Sequence, residues 1–112
     1  MEVRATVKFV KISPRKVRLV VDAVRGMPAN QAMAMLRHMP QKAAFEIEKA
    51  VKSALSNAEN NYNLSPDDMF VSRISADEGP TQKRFRPRSR GRVSPTLRRS
   101  SHISVVLDEQ GQ

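Results

Sequence analysis

The residues of this sequence best equipped for chemistry are cations, and they are bunched. From Thr81 to Ser101 the chain reads T-Q-K-R-F-R-P-R-S-R-G-R-V-S-P-T-L-R-R-S-S, with eight basic residues and no acid. Lys83, Arg84, Arg86, Arg88, Arg90, Arg92, Arg98 and Arg99 supply +8 of a net charge of +9. Seven of the eight are arginine, where lysine would serve equally for bulk charge. A planar guanidinium grips phosphate in two places and stacks on bases. The chemistry on offer is therefore capture of a polyanion. A second basic group comprises Arg4, Lys8, Lys11, Arg15, Lys16, Arg18 and Arg25, with Asp22 as the one acid among them. A merely solubilising surface usually mixes both signs, which this clustering does not.

Other chemistries are poorly served. The chain has no cysteine, which removes disulfides and thiolate metal sites. His38 and His102 stand in no metal-ligand spacing, and His38 suits the last turn of a helix, where an imidazole favours the dipole. There is no glycine-rich phosphate loop and no nucleophile–base set. The acid pairs Asp67-Asp68 and Asp77-Glu78 are adjacent, and neighbours along a strand point to opposite faces. We expect no enzyme, no metal and no cofactor. Charges interrupt every apolar run of the opening M-E-V-R-A-T-V-K, unlike a secretory signal. No apolar run approaches the ~20 residues that span a bilayer. A cytoplasmic protein without membrane contact is expected, folded as one domain over residues 1–112.

Regular elements must position these cations. From Val3 to Ile12 the sequence alternates, with Val3, Ala5, Val7 and Phe9 on one face and Arg4, Thr6 and Lys8 on the other. This predicts a strand with a basic outer face. Ser13-Pro14 predicts a helix start, serine as N-cap and proline at the first helical position, with Gly26 as the stop. Val17, Val20, Val21 and Val24 then form a buried stripe, and Arg15, Arg18, Asp22 and Arg25 face outward. A second helix is predicted over Ala29–His38, with Ala32, Met35, Leu36 and Met39 as its apolar side and Pro40 ending it. A third runs from Lys42 to Asn61 on Ala44, Ile47, Val51, Ala54, Leu55 and Ala58, with Glu48 facing Lys52. Strands are predicted at Met69–Asp77 and His102–Leu107, and a frayed tail at residues 108–112.

The last two strands flank the basic stretch. A hairpin between them has a connection far longer than the 2–5 residues usual for a turn. A connection of this size is either a disordered loop or a protruding arm; as an extended basic arm, residues 80–100 would reach roughly 30 Å if each limb spans ten residues at ~3.3 Å. Two-stranded ribbons are marginal and like charges repel, so order is expected when a polyanion neutralises the arm. Pro87 and Pro95 restrict the free chain, and Gly91 permits a sharp bend. Irregularly folded RNA offers clefts for such a prong. The alternative is a DNA-bending architectural protein, which uses basic β-arms in the minor groove. Such a protein normally dimerises; no dimer surface is evident here, and no homo-oligomer is expected. A membrane-surface binder would need large apolar anchors beside the cations, which the arm lacks.

These residues also carry a family likeness. I-S-P-R-K-V-R-L-V (Ile12–Val20), D-E-G-P (Asp77–Pro80), K-R (Lys83, Arg84), P-R-S-R-G-R (Pro87–Arg92) and S-H-I (Ser101–Ile103) occur in an order and spacing that cover nearly the whole chain. In these the chain resembles the family of bacterial large-subunit ribosomal protein twenty-two. The resemblance implies an α+β fold, three helices packed on a small three-stranded antiparallel sheet, with a long protruding basic β-hairpin. It implies a non-catalytic constituent of the large ribosomal subunit that binds and bridges large-subunit rRNA during assembly. Its neighbours would be other large-subunit proteins, and its hairpin tip would line the peptide exit tunnel beside the nascent polypeptide. Carried over by position, Arg88, Ser89, Arg90, Gly91 and Arg92 would form that tip. Arg15, Lys16 and Arg18 would lie among the body's rRNA contacts. Lys8, Lys11, Arg25, Lys83, Arg84, Arg86, Arg98, Arg99 and His102 complete the expected rRNA-binding set. Arg86 stands where the family often has an apolar residue, and Pro95 puts strand pairing of the arm in question.

Overall fold

The alternating residues near the start form strand β1 (Val3–Val10), in a computed structural model that describes residues 2–87 and 93–109, with backbone alone for 82–87 and 93–98. Alternation holds through Val7 and then breaks. Val7 stands opposite Ile103 and Val10 opposite Ser101, so Lys8 and Phe9 together oppose His102. Two residues against one is a β-bulge. Phe9 adopts a φ of 60° and turns outward, 63% exposed, while Val10 takes the inward place. The bulge thus overturns the expected grouping of Phe9 with Val3, Ala5 and Val7. The strand stops at Val10, short of the expected Ile12, whose N–H folds back onto the Val10 carbonyl at 2.9 Å.

Helix α1 (Pro14–Val24) starts where Ser13-Pro14 predicts. The Ser13 carbonyl accepts from the N–H groups of Lys16 and Val17 at 3.1 and 3.2 Å. Its hydroxyl makes no capping bond, so the serine acts here through its backbone and Pro14 presets the first turn. Val17, Val20, Val21 and Val24 are all buried. Each such side chain contributes on the order of 1.5–3 kcal/mol over its exposed state. Gly26 follows at φ 81°. Its N–H donates to the Val71 carbonyl, and the Val71 N–H donates to Met27, each at 2.9 Å.

Helix α2 (Ala29–His38) buries Ala29, Ala32, Met33 and Leu36. Met35, expected inside, is 41% exposed. The inward stripe begins at Ala29, one turn earlier than predicted, and that shifts the methionine it takes. Helix α3 (Lys42–Tyr62) buries Ala43, Ala44, Ile47, Ala50, Val51, Ala54, Leu55 and Ala58. Alanines let α3 approach both β1 and the central strand while also touching α1 and α2. Asn63 ends it in the left-handed region, φ 53°, and the Leu64 N–H returns to the Ala58 carbonyl at 2.9 Å. Glu48 pairs with Arg37 of α2 at 3.0 Å, across helices, instead of with Lys52 along its own.

A short turn at Pro66–Asp68 leads into β2 (Met69–Glu78). Strands β3 (Gln82–Pro87) and β4 (Val93–Arg98) follow, then β5 (Ser101–Glu109). The main sheet has the order β1-β5-β2 and is antiparallel throughout. Ile103, Val105 and Leu107 of β5 are buried at its centre. This is the α+β architecture expected: three helices against three antiparallel strands. β5 runs past the predicted Leu107, and Asp108 and Glu109 pair with Phe70 and Met69. The expected fraying therefore does not begin at Asp108. The Glu109 N–H donates to Asp108 Oδ1 at 2.8 Å, which holds that carboxyl below its usual range. β3 and β4 form a separate antiparallel ribbon in which Pro95 stands opposite Phe85. A two-stranded ribbon has only edge strands, where proline is tolerated, so Pro95 does not end the pairing.

Candidate nucleic-acid interface

The ribbon leaves the body between β2 and β5, and its root is closely tied. Glu78 pairs with Ser101, the last rung of the main sheet. The Gly79 N–H then donates to the Ser100 carbonyl at 3.0 Å, and Ser100 Oγ donates to the Pro80 carbonyl at 2.7 Å. Ser101 is fully buried, and its hydroxyl donates to the Ile12 carbonyl at 2.6 Å. A buried hydroxyl needs such a partner. That bond attaches the segment between β1 and α1 to the base of the ribbon. Gly79 fits closely here: a Cβ would lie 2.5 Å from Ser100 Oγ and 3.2 Å from the His102 ring, so the serine side chain would have to shift.

His102 belongs to the same knot. Its Nδ1 accepts the Phe9 N–H at 3.1 Å, satisfying a donor that the bulge removes from the ladder. The Phe9 and His102 rings meet edge to face, 5.0 Å between centroids at 90°. His102 is half-buried, and its Nδ1 is committed internally.

Around this root the fold gathers cations from separate parts of the chain. Lys8 lies on the bulge opposite His102. Lys11 follows Val10, the partner of Ser101, and Arg99 adjoins the Ser100 clamp. Arg15, Lys16 and Arg18 occupy the first half of α1. All six are exposed. Arg18 Nε donates to the Ala76 carbonyl of β2 at 3.2 Å, leaving the other two guanidinium nitrogens to the surface. Arg25 lies about two turns from Arg18, where it donates to the Ile74 carbonyl at 3.2 Å and pairs with Asp22 at 2.9 Å. The arginine row of α1 therefore also staples the helix to the outer edge of β2, a use that periodicity alone does not reveal. Asp77 and Glu78 are exposed at the same end.

The remaining expected residues are distributed as follows. Lys83, Arg84 and Arg86 lie on β3 and Arg98 on β4, whose side chains are outside the described residues. Arg88, Ser89, Arg90, Gly91 and Arg92, the expected tip, lie outside them altogether. Arg4 sits at the other end of the sheet, opposite Val106. There Glu2 accepts from Arg73 at 3.0 Å and stands 3.7 Å from Arg4. Among the described residues no group of three His, Cys, Asp or Glu side chains is placed to hold a metal ion. Their helices include none long and apolar enough to cross a membrane. Sequence reasoning missed the parts played by Gly79, Ser100 and Phe9. Gly79-Pro80 and Ser100-Ser101 bracket the basic stretch, which was the available signal.

Comparison with known proteins covers nearly all of these elements. The model of the family described as ribosomal protein L22p/L17e matches residues 5–108. A large ribosomal subunit protein uL22 from Thermomicrobium roseum is 52% identical over 109 residues, 97% of this chain and 92% of that one. Its counterpart from Chloroflexus aggregans is 48% identical over 110 residues, 98% and 97% of the two chains. That of a Roseiflexus species is 50% identical over 109 residues, 97% and 96%.

Proposed function

The chain belongs to the ribosomal protein L22p/L17e family, and from that premise we propose how it serves the ribosome. It is a structural constituent of the large ribosomal subunit in the cytoplasm, and it catalyses no reaction. In our reading it folds as one domain and binds large-subunit rRNA in two ways. The body docks through Lys8, Lys11, Arg15, Lys16, Arg18 and Arg99 at the root, with Arg25 farther along α1. The ribbon, with Lys83, Arg84, Arg86 and Arg98, runs on into the RNA and bridges segments remote in the RNA sequence during assembly. Its tip, Arg88 to Arg92, lines the exit tunnel beside the nascent polypeptide. The protein has neighbouring ribosomal proteins as further partners.

One observation carries this reading. Exposed cations from β1, α1 and the approach to β5 converge where the ribbon leaves the body. Body and arm can thus address one continuous polyanion. His102 serves by fixing this root. The DNA-bending alternative is set aside, because the relatives above are all named as large-subunit proteins.

Sedimentation of a cell lysate at low and high magnesium tests the assignment. The protein should travel with the large subunit after the two subunits separate. Recovery with bulk DNA, or free at the top of the gradient, would count decisively against it. Chemical crosslinking from the ribbon tip to a stalled nascent chain tests the tunnel position.

A further inference from the structure

Phe9 is the residue that the docking surface above does not yet use. It is 63% exposed, and single exposed apolar residues need no special account. Its backbone does. A phenylalanine at φ 60° occupies a region that large side chains seldom adopt and glycine or asparagine enter readily. Strain of this kind collects at ligand clamps. Two contacts hold it here: the Phe9 N–H on His102 Nδ1 at 3.1 Å, and the edge-to-face contact with the His102 ring at 5.0 Å. The result is a ring fixed in orientation and facing water, with the exposed Lys8 and Lys11 one and two residues away along the chain. Phe45, the other strongly exposed phenylalanine among the described side chains, has the Lys49 ammonium 4.7 Å from its ring centre. Leu19 is more exposed still at 69%, yet offers no flat face.

Building on the RNA-binding reading, we propose that Phe9 is a stacking platform for one unpaired base of large-subunit rRNA. Lys8 and Lys11 would take the flanking phosphates. Every base has a π-face, so an aromatic ring among cations binds a splayed-out nucleotide without demanding a sequence. The bulge presents the ring already oriented, so little side-chain freedom is lost on contact.

The test uses the full-length protein and transcribed large-subunit rRNA. Phe9→Leu keeps an apolar side chain and removes the π-face. It should weaken binding about 5- to 150-fold, the equivalent of the ~1–3 kcal/mol per base that stacking contributes. The slope of log affinity against log salt should stay unchanged, since no phosphate contact is lost. Phe9→Trp should bind at least as well as the parent chain, and its fluorescence should be quenched as RNA saturates it. Phe9→Gly should be as weak as Phe9→Leu while melting no lower than the parent. Steep salt-dependent binding that is indifferent to Phe9→Leu overturns the stacking site and leaves the RNA reading standing. A loss accompanied by a shallower salt slope also overturns it, by assigning the effect to displaced cations. Absence of salt-dependent binding by the parent chain overturns both.

Discussion

Gly79 shows how a single missing atom secures the arm. A methyl group there would meet Ser100 Oγ at 2.5 Å, and that oxygen is already held on the Pro80 carbonyl. Gly79→Ala should therefore lower stability by about 1–3 kcal/mol, the usual range for overpacking. Adding Ser100→Ala removes the clashing oxygen, so the double variant should recover part of the loss; additive losses in thermal denaturation would refute the clash. Gly26 is constrained differently. Nothing lies within 4 Å of its added Cβ, yet φ is +81°. Gly26→Ala should cost about 1–2 kcal/mol from backbone conformation alone, and Gly26→Asn less. A denaturant midpoint equal for Ala and Asn would argue against that cause. The constraint at Gly79 is not legible in the sequence, where it reads as half of a Gly-Pro breaker; Gly26 reads as a helix stop, a place that already favours a left-handed residue.

At the scale of elements, the periodicities of α1 and α3 predict their buried faces because a helix places every third or fourth residue on one side whatever it packs against. The limits of periodicity appear where partners decide. The β1 bulge reverses Phe9 and Val10, and Glu48 chooses Arg37 of α2 over Lys52. The outer edge of β2 is another such place. Its unpaired carbonyls accept Arg18 and Arg25 from α1, which blunts an otherwise open edge. Arg18→Ala should lower stability by about 0.5–1.5 kcal/mol, the range of one net hydrogen bond, and also weaken RNA binding. Arg15→Ala, whose side chain is exposed without such a bond among those described, should weaken RNA binding and leave the melting temperature within a degree or so. A matching loss of stability in both variants would show that α1 is not stapled as described.

For the whole molecule, the central consequence is that arm and body are separable in energy, while the proposed RNA binding draws on both. The body closes its own sheet through Glu78 and Ser101, and its core draws on the three helices and on β1, β2 and β5. Replacing residues 81–99 by Asn-Gly, which favours a tight hairpin turn, should leave a folded body with a melting temperature within a few degrees of the parent. The same variant should lose most affinity for large-subunit rRNA. The parent's affinity should fall ~10³–10⁵-fold between 50 and 200 mM salt if six to ten phosphates are neutralised; the variant's dependence should be clearly shallower. An equal slope would mean that the arm contributes no phosphate contacts.

What the sequence by itself determined is everything that depends on composition and local period. That includes the clustered arginines that suit a polyanion, the three helices, the main strands, and a basic stretch too charged and too poor in apolar residues to make a core. Charge and helical period are properties of the chain before it folds. What only the tertiary structure decided is how distant segments meet. Ser101 reaches Ile12, Phe9 reaches His102, and Arg18 reaches Ala76, contacts separated by 89, 93 and 58 residues. Those contacts bring the segments that carry Lys8, Lys11, Arg18 and Arg99 to the root of the arm. Their register follows from a bulge and from a buried hydroxyl seeking its acceptor, and neither has a signature in local sequence because each is set by a partner far along the chain.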